Sequence, residues 1–330
     1  MSLTPDSAHA RYFIVGGAGF IGSHFVDRLL ANGQADEVTV YDNFSSGREW
    51  HYEHHLRDGR LRVIRADVAD LPALTAAMNG HDIVLHLASN PDIARAATEP
   101  EVDFYQGTAL TNNVVEAMRR AGISRILYAS GSGVYGDPSV VTEASEDDGP
   151  LIPVSTYGAS KLAGEALISS YCHMFGLTGR VFRFGNVVGP RQTHGVGFDF
   201  IRRLTTNPAE LRILGDGRQS KSYIHVDDVV SAVLCANKKE ALPFRAFNVA
   251  TGDYITVTEI ADLAVDVLGL PARPQYRYTG GDRGWKGDVP VVRLNTDRIR
   301  SLGWVCRRSC REALRDSMTS LAADQRTRYE

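Results

Sequence analysis

The sequence predicts an α/β protein, a doubly wound parallel sheet joined to a smaller, partly discontinuous C-terminal lobe. Two observations lead to this prediction. Over the first two thirds of the 330 residues, short β-branched apolar runs alternate with longer helical stretches. Such alternation implies a parallel sheet with helices on both faces. After about residue 190 the alternation stops and Gly, Pro and Arg become frequent, which indicates a second unit.

The predicted strands are short, mostly apolar runs, which is typical of strands buried on both faces. The stretches between them have helical periodicity and end at glycine. The runs are RYFIVG (11–16), EVTVYD (37–42), LRVIRAD (61–67), DIVLHLA (82–88), SRILYAS (124–130), RVFRFGNVVG (180–189) and FNVAT (247–251). We expect residues 1–189, with 246–269 returning, to form one domain, and 190–245 with 270–330 to form the lobe.

Composition and charge exclude several classes of protein. The formal net charge is -3, and no run of Lys or Arg suggests a nucleic-acid partner. No apolar segment reaches the roughly 20 residues needed to span a membrane. The N-terminus lacks the basic and apolar regions of a signal peptide, so we expect a cytoplasmic protein. The four cysteines form no zinc pattern with histidine, which favours free thiols.

The first predicted strand runs directly into VGGAGFIGSH. Gly16, Gly19 and Gly22 are spaced G-x-x-G-x-x-G and a helix follows, which is the context of the dinucleotide fingerprint of a Rossmann-type sheet. The glycines permit a tight turn, and the helix N-terminus offers N–H groups to a pyrophosphate. The second strand ends at Asp42, where an acid would bind ribose hydroxyls and repel a 2'-phosphate. These features favour NAD over NADP. Arg48 is the one nearby residue that could instead favour a 2'-phosphate.

Tyr157 and Lys161 stand at i and i+4 in a segment with helical periodicity. Their side chains therefore share one helix face, one turn apart. A tyrosine has a pKa of about 10, and a nearby ammonium favours the phenolate. The pair can act as a tuned acid/base that takes a proton from a hydroxyl while a hydride leaves to nicotinamide.

With these motifs the chain resembles a known family, the extended short-chain dehydrogenase/reductases that act on nucleotide sugars. It is most similar to the nucleotide-sugar 4-epimerases of the UDP-glucose 4-epimerase type. The resemblance covers nearly the whole chain. It rests on GGAGFIGSH (16–24), YDNFSSG (41–47), ADV (66–68), HLAS (86–89), SGSGVYG (130–136), YGASK (157–161), RFGNVVGPR (183–191), LGDGRQSKSYIHVDD (214–228) and GDRGWKGD (281–288).

The resemblance implies a set of cofactor-binding residues that runs from the glycine turn to the nicotinamide end. They are Gly16, Gly19, Phe20, Ile21, Gly22, Asp42, Asn43, Ser46, Gly47, Asp67, Val68, Leu87, Ala88, Ser89, Ser130, Tyr157, Lys161 and Phe184. The family default also implies a UDP-linked sugar as substrate and a homodimer built from helices that include the Tyr–Lys segment. The segments 109–120 and 164–175 have apolar positions suited to that contact.

The resemblance also implies substrate-binding residues. They are Asn90, Ser132, Tyr157, Asn186, Leu211, Ile213, Lys221 and Arg283. Lys221 stands where the family usually has an arginine for the diphosphate. Trp285 replaces another arginine, and Arg283 or Lys286 is expected to take over that contact, because a cation is needed beside phosphate.

One catalytic position departs from the family pattern. The resembled enzymes keep a Ser or Thr three residues before the Val of VYG, and here that position is Gly131. Ser130 and Ser132 flank it. The glycines at 131 and 133 allow the backbone to twist, so Ser132 is the favoured third catalytic residue. A water in place of the hydroxyl is the alternative, with Ser130 an ordinary strand-end residue near the cofactor.

The same loop separates the possible reactions. Related dehydratases carry an Asp–Glu pair just before VYG, and related decarboxylases place a Glu directly before the Val. This chain has Ser132 and Gly133 there, so both chemistries lose an acid/base group. The sequence therefore favours a 4-epimerase, and a non-catalytic protein that binds NAD or a sugar nucleotide stays open as another class.

No metal site is expected. His51, His54 and His55 cluster before a strand, but no carboxylate has matching spacing. Asp227 is expected to be the N-cap of a helix rather than a catalytic acid.

Overall fold

The computed structural model describes residues 9–31, 33–90, 93–137, 143–284 and 287–324. The chain divides into two compact units. The first consists of Met1–Val134, Thr156–Arg183 and Val230–Phe247, and the second of Tyr135–Ser155, Phe184–Val229 and Asn248–Glu330.

The strands and helices are numbered here in chain order. The strands are β1 (Ala10–Val15), β2 (Ala35–Asp42), β3 (Leu61–Arg65), β4 (Ile83–His86), β5 (Arg125–Gly131), β6 (Thr178–Phe184), β7 (Asn186–Val188), β8 (Glu210–Ile213), β9 (Ser220–Lys221), β10 (Tyr223–His225), β11 (Phe244–Val249), β12 (Ile255–Thr256) and β13 (Gln275–Tyr278). The helices are α1 (Phe20–Ala31), α2 (Leu71–Met78), α3 (Leu110–Ala121), α4 (Thr156–Phe175), α5 (Val196–Thr206), α6 (Val226–Lys239), α7 (Val257–Leu268), α8 (Asp297–Ser301) and α9 (Cys310–Ala323).

The first unit is built on a seven-stranded sheet with the order β11-β6-β5-β4-β1-β2-β3. Strand β1 pairs in parallel with both β2 and β4, so the chain winds outward in two directions from β1. This order confirms the predicted doubly wound Rossmann-type fold. It also brings the carboxyl ends of β1, β2 and β4 to one edge, where ligands of such sheets bind.

The core of the first unit lies between the sheet and helices α2, α3 and α4. Fully buried side chains from α3 and β5 include Val114, Met118, Ile126 and Tyr128. Each large apolar side chain buried in this way contributes about 1.5–3 kcal/mol. Helix α3 ends as the sequence predicts, at Gly122, which has a φ of 73° that glycine adopts without strain.

The second unit contains three short strand pairs, β7 with β10, β8 with β13 and β9 with β12. Its core joins Phe198 of α5, Leu211 of β8, Ile260 of α7, and Leu314 and Met318 of α9. Helix α9 is therefore amphipathic and packs one face into the core.

The units divide differently from the predicted domain boundaries in four segments. Residues 135–155 and 184–189, expected in the first domain, belong to the second unit. Residues 248–269 belong to the second unit, because Ile260, Leu263 and Ala264 of α7 lie in its core. Residues 230–247 belong to the first unit, because β11 extends the seven-stranded sheet beside β6.

The predicted N-cap role of Asp227 is wrong. Helix α6 begins at Val226, so Asp227 lies inside the first turn. Its backbone N–H donates to Nδ1 of His225 at 3.2 Å, so the imidazole satisfies an N–H group at the start of the helix.

Within the described ranges, no helix is long and apolar enough to cross a membrane.

Candidate active site

The turn between β1 and α1 is closed by tight backbone packing. Gly16 has a φ of 81°, and its N–H donates to the carbonyl of Tyr41 at 2.9 Å. A Cβ on Gly16 would lie 2.7 Å from the backbone nitrogen of Ala88, and one on Gly22 would lie 2.5 Å from the carbonyl oxygen of Gly16. The N–H of Gly19 donates to that same carbonyl at 3.3 Å. Side chains are therefore excluded where a pyrophosphate must approach.

Helix α1 begins directly after this turn, with Phe20 and Ile21 as its first residues. The N–H groups of the first helical turn have no partners within the helix, and the macrodipole places partial positive charge at this end. The turn and helix start therefore fit the pyrophosphate of a dinucleotide.

Asp42 joins the glycine turn to the loop after β2. Its Oδ2 accepts from the N–H of Ala18 at 3.0 Å, and its Oδ1 accepts from the N–H of Phe44 at 2.8 Å. Burial raises the pKa of this carboxyl, and the two hydrogen bonds act in the opposite direction. Each oxygen keeps a further lone pair, which fits the acceptor role toward ribose hydroxyls. Gly47 packs against the carboxylate, where a Cβ would lie 3.0 Å from Oδ1, and the half-buried Ser46 precedes it.

The other predicted cofactor residues lie at the ends of the neighbouring strands. Asn43 donates from Nδ2 to Asp67 at 2.9 Å, and Val68 is buried beside Asp67. After β4, the N–H groups of Leu87 and Ala88 donate to the carbonyl of Val15 at 2.9 and 3.0 Å. The residues are thus held by backbone and side-chain bonds at the strand ends that border the glycine turn. 

Tyr157 and Lys161 lie in the first turns of α4, in the predicted i and i+4 arrangement. Lys161 is only 3% exposed, and its Nζ donates to the carbonyl of Ala129 at 2.8 Å. The same Nζ lies 5.5 Å from the centroid of the Tyr157 ring. The ammonium is therefore fixed between the end of β5 and the tyrosine.

The electrostatics of this pair differ from the prediction in one respect. Burial raises the pKa of Tyr157 to about 12, while a hydrogen bond with Ser89 opposes the rise. Burial lowers the pKa of Lys161 to about 8, against the attraction of Asp103 and Glu165. In the protein alone, burial is the largest influence on the pKa of the phenol, and its direction is opposite to the one predicted from the lysine. A positively charged nicotinamide would favour the phenolate further when bound.

Ser130 is engaged in a buried network. Its hydroxyl donates to Oε1 of Glu165 at 2.6 Å, and Glu165 accepts from Nη2 of Arg183 at 2.7 Å. The side chains of the ion pair are each 5% exposed. Ser130 therefore holds a buried charge pair, and its hydroxyl proton is already used.

Ser132 differs from Ser130 in both position and contacts. It follows β5 as the first residue of a short 3₁₀ turn, Ser132–Tyr135, and it is half-buried. Across the described ranges, no protein group forms a hydrogen bond with its hydroxyl. A Cβ added at Gly131 would meet nothing within 4 Å, so the missing side chain leaves open space. The small residue at position 131 suggests such room, and the open space agrees with it.

In the second unit, the two cations expected to bind the nucleotide sugar form ion pairs with carboxylates. Lys221 is paired with Asp288, and Arg283 is paired with Asp137. Arg283 also donates to the backbone carbonyl of Asp288 at 2.6 Å. Both cations are thus held by carboxylates. Trp285 and Lys286 lie outside the described residues.

The remaining residues of that set lie on short strands or in the core. Leu211 and Ile213 on β8 are 0% exposed. Phe184 is also buried, at 6% exposure, at the end of β6. Asn186 on β7 donates from Nδ2 to the carbonyl of Ser222 at 3.3 Å.

Sequence reasoning missed two buried carboxylates. Asn90, predicted to touch substrate, is 3% exposed and donates from Nδ2 to Oδ1 of Asp103 at 2.9 Å. Asp103 belongs to no quoted motif, and no pattern in the sequence marked it. Glu165 stands four residues after Lys161 on the same helix, a spacing that could have indicated its proximity.

The histidine cluster does have a carboxylate, contributed by α1. Nε2 of His54 and Nε2 of His55 each lie 2.8 Å from Oδ1 of Asp27. Ligands at about 2.0–2.1 Å from a tetrahedral metal are separated by about 3.3 Å. The shorter separations are those of two hydrogen bonds to one carboxylate, so the cluster fits hydrogen bonding without a metal.

The glycine turn, the acid at the end of β2 and the pair of Tyr157 with the buried Lys161 together define the site of a dinucleotide-dependent enzyme of hydride transfer. The model of the NAD dependent epimerase/dehydratase family matches residues 12–250. The chain belongs to this family of NAD-dependent enzymes, whose members act on nucleotide sugars.

Two curated relatives show the range of reactions in this family. The UDP-glucose 4-epimerase of Mycolicibacterium smegmatis is 33% identical over 302 residues, which cover 89% of this chain and 93% of that protein. UDP-glucuronic acid decarboxylase 1 of Arabidopsis thaliana is 29% identical over 310 residues, which cover 92% of this chain and 68% of that protein.

Solved structures with similar folds include both an epimerase and a dehydratase. A crystal structure of UDP-galactose 4-epimerase is 38% identical with a TM-score of 0.83, covering 94% of this chain and 98% of that one. A double mutant of DesIV, a dTDP-glucose 4,6-dehydratase from Streptomyces venezuelae with NAD and DAU bound, is 25% identical. Its TM-score is 0.87, covering 96% of this chain and 98% of that one.

Proposed function

We propose that the protein is an NAD-dependent nucleotide-sugar 4-epimerase that acts on a UDP-hexose. One observation supports the epimerase above all. The catalytic pair Tyr157 and Lys161 is intact on α4, while the loop before Val134 offers Ser132 and Gly133 in place of a second acid or base. Epimerisation at C4 needs the first group and not the second.

The reaction assigns a clear task to each group of the chain. Tyr157, as the phenolate, takes the proton of the C4 hydroxyl when the sugar is oxidised, and it returns the proton after the keto-sugar has rotated. The glycine turn from Gly16 to Gly22 and Asp42 would hold NAD, which would supply a reversible hydride acceptor for C4. Lys161 stabilises the phenolate through its charge, which Ala129 holds in place by a 2.8 Å hydrogen bond.

Ser132 is proposed to hydrogen-bond the C4 oxygen. The hydroxyl of Ser132 has no hydrogen bond to the described part of the protein, whereas that of Ser130 is committed to Glu165. This difference favours Ser132 over Ser130 and keeps a bound water in the space beside Gly131 as the alternative.

The function is tested by incubating the purified protein with NAD and, separately, UDP-glucose, UDP-N-acetylglucosamine and UDP-glucuronate. Proton NMR and mass spectrometry of the products decide the reaction. An epimerase gives a sugar of unchanged mass that is inverted at C4. The Tyr157→Phe variant is the matched control, and it is expected to retain NAD while turnover falls by about 10²–10⁴-fold.

A dehydratase or decarboxylase is the second candidate, favoured by the similarity to DesIV and to the plant decarboxylase. Loss of water or of carbon dioxide from the product would establish it and exclude the epimerase. A non-catalytic binding protein is the third candidate. Binding without turnover, unchanged by Tyr157→Phe, would establish that one.

A homodimer is also proposed, through a surface of the first unit that includes α4. Met174 and Phe175 at the end of α4 are 71% and 45% exposed, and Phe104 and Tyr105, which precede α3, are 55% and 62% exposed. The first pair lies at the end of α4 and the second follows Asp103, which contacts Thr156 at its start, so the proposed surface runs along the helix. Light scattering should give twice the mass of the chain, and Met174→Glu with Tyr105→Glu should shift the mass to that of a monomer.

A further inference from the structure

Asp103 is a buried carboxylate that joins two separate segments of the first unit. It is 1% exposed and lies just before the π-helical segment Phe104–Ala109. Its Oδ1 accepts from Nδ2 of Asn90 at 2.9 Å, and its Oδ2 accepts from Oγ1 of Thr156 at 2.7 Å. A buried carboxylate requires such bonds because its desolvation is costly. Each oxygen is therefore used for a different segment.

The two segments are those that flank the catalytic hydroxyl. Thr156 is the first residue of α4 and directly precedes Tyr157. Asn90 directly follows Ser89, which forms a hydrogen bond with the Tyr157 side chain. Asp103 thus connects Thr156, which precedes Tyr157, to Asn90, which follows Ser89.

We propose that Asp103 is a positioning residue, which fixes the Tyr157 hydroxyl by holding the Ser89–Asn90 segment and the start of α4 in one geometry. The inference rests on the proposed function, since it assigns a role within the same site. Asp103 acts through Asn90 and Thr156 and touches no substrate. Small errors in the placement of a reacting group have large effects on rate, because a displacement of about 1 Å can reduce turnover about 10²-fold.

The negative charge of Asp103 also affects the pKa values of the catalytic pair, and this effect can be tested separately from positioning. The carboxylate raises the pKa of both Tyr157 and Lys161, although burial is the larger influence on each. The same group therefore helps to keep the lysine charged and opposes ionisation of the tyrosine. Removing its charge should lower the pKa of Tyr157, whereas removing only its bond to Thr156 should not.

Two variants separate position from charge. Asp103→Asn removes the charge and replaces an acceptor with a donor at nearly constant volume. Thr156→Val removes one hydrogen bond and keeps the charge, and Thr156→Ser restores the hydroxyl. We expect kcat to fall about 10–100-fold in Asp103→Asn and Thr156→Val, with KM within about twofold of wild type and activity restored in Thr156→Ser.

The pH dependence of kcat distinguishes positioning from general damage to the fold. In Asp103→Asn the acidic limb, where the tyrosine must ionise, should move to lower pH, because a negative charge has been removed beside the phenol. In Thr156→Val the limb should stay in place while kcat falls. Wild-type kcat and an unmoved limb in Asp103→Asn would overturn the proposal. The proposal would also be overturned if kcat fell in the variants only in proportion to their loss of melting temperature.

Hydrogen exchange measured by mass spectrometry tests the same proposal without turnover. Asp103→Asn, with NAD added, should exchange faster in peptides covering 86–90 and 155–160, and at the wild-type rate in helix α9 of the second unit. Unchanged exchange in both peptides would overturn the positioning role. If the wild-type protein converts none of the three UDP-sugars, the proposed function fails while the exchange experiment still decides the role of Asp103.

Discussion

The hydroxyl of Ser130 donates a 2.6 Å hydrogen bond to the carboxylate of Glu165, which is itself paired with Arg183. All three side chains are buried. This bond separates two serines that look equivalent in the sequence, because a hydroxyl that stabilises a buried charge is not available to a ligand. Ser130 therefore stabilises the fold, and Ser132 remains the proposed third catalytic residue.

The two serines should respond differently to alanine. Ser130→Ala removes one hydrogen bond to a buried charged group and should lower the free energy of unfolding by about 1.5–3 kcal/mol with little change in kcat. Ser132→Ala should leave stability within about 0.5 kcal/mol and lower kcat. Urea unfolding and steady-state kinetics on both variants check this. A large loss of kcat in Ser130→Ala alone would contradict the assignment.

Restoring a side chain at residue 131 should be tolerated. A Cβ at Gly131 meets nothing within 4 Å, and β-branched residues suit the end of a strand. Gly131→Thr is expected to fold normally and to make Ser132→Ala harmless, since a hydroxyl then stands at the family position. Kinetics of the single and double variants decide this. A fall in kcat of Gly131→Thr would instead indicate that the open space accommodates the substrate.

Breaking the buried ion pair of Glu165 and Arg183 should lower the free energy of unfolding strongly. Glu165→Gln leaves the guanidinium of Arg183 buried without its counter-charge, which typically costs about 3–5 kcal/mol. Urea unfolding at pH 7 measures this loss. The exposed pair of Arg277 and Glu210 provides the control, since Glu210→Gln should cost under about 1 kcal/mol. Equal effects of the two substitutions would contradict the burial argument.

A methyl group in the dinucleotide turn should abolish cofactor binding. In Gly22→Ala the new Cβ would lie 2.5 Å from a backbone carbonyl, so the turn must open. Gly59→Ala is the matched control, because a Cβ there meets nothing within 4 Å. NAD retained after gel filtration, measured by absorbance, should be lost in the first variant and kept in the second. Retention in both would refute the proposed position of the pyrophosphate.

His86 should make the protein less stable in mild acid. It is 1% exposed, and burial together with the charge of Lys161 lowers its pKa to about 3. The unfolded chain binds a proton near pH 6.5 while the folded chain does not, so stability is fully present above that pH and is lost as the pH falls toward 3. This group alone should remove about 2 kcal/mol between pH 7 and 5. Urea unfolding of His86→Gln should show a correspondingly smaller decrease, and an equal decrease would contradict this account.

The sequence was sufficient for the parts of the protein that local patterns determine. The strands of the seven-stranded sheet follow from short, mostly apolar runs, and the turn from Gly16 to Gly22 follows from the strand and helix on either side. The proximity of Tyr157 and Lys161 follows from helical spacing alone. Each of these features is encoded by residues close together in the chain.

The features that the sequence could not predict depend on contacts between distant residues. Asp27 meets His54 and His55 across 27 and 28 positions, and Asp103 meets Thr156 across 53. The pKa of Tyr157 could not be inferred from its spacing to Lys161, because burial depends on the packing of the whole unit. The boundary near residue 248 was misplaced for the same reason, since strand patterns do not reveal which core a segment joins.

The vacancy beside Gly131 bears on how this chain can evolve. Since no neighbour would obstruct a side chain there, the fold does not enforce the glycine. A substitution that adds a small side chain there would therefore alter what the site can bind more than it alters the packing of the fold.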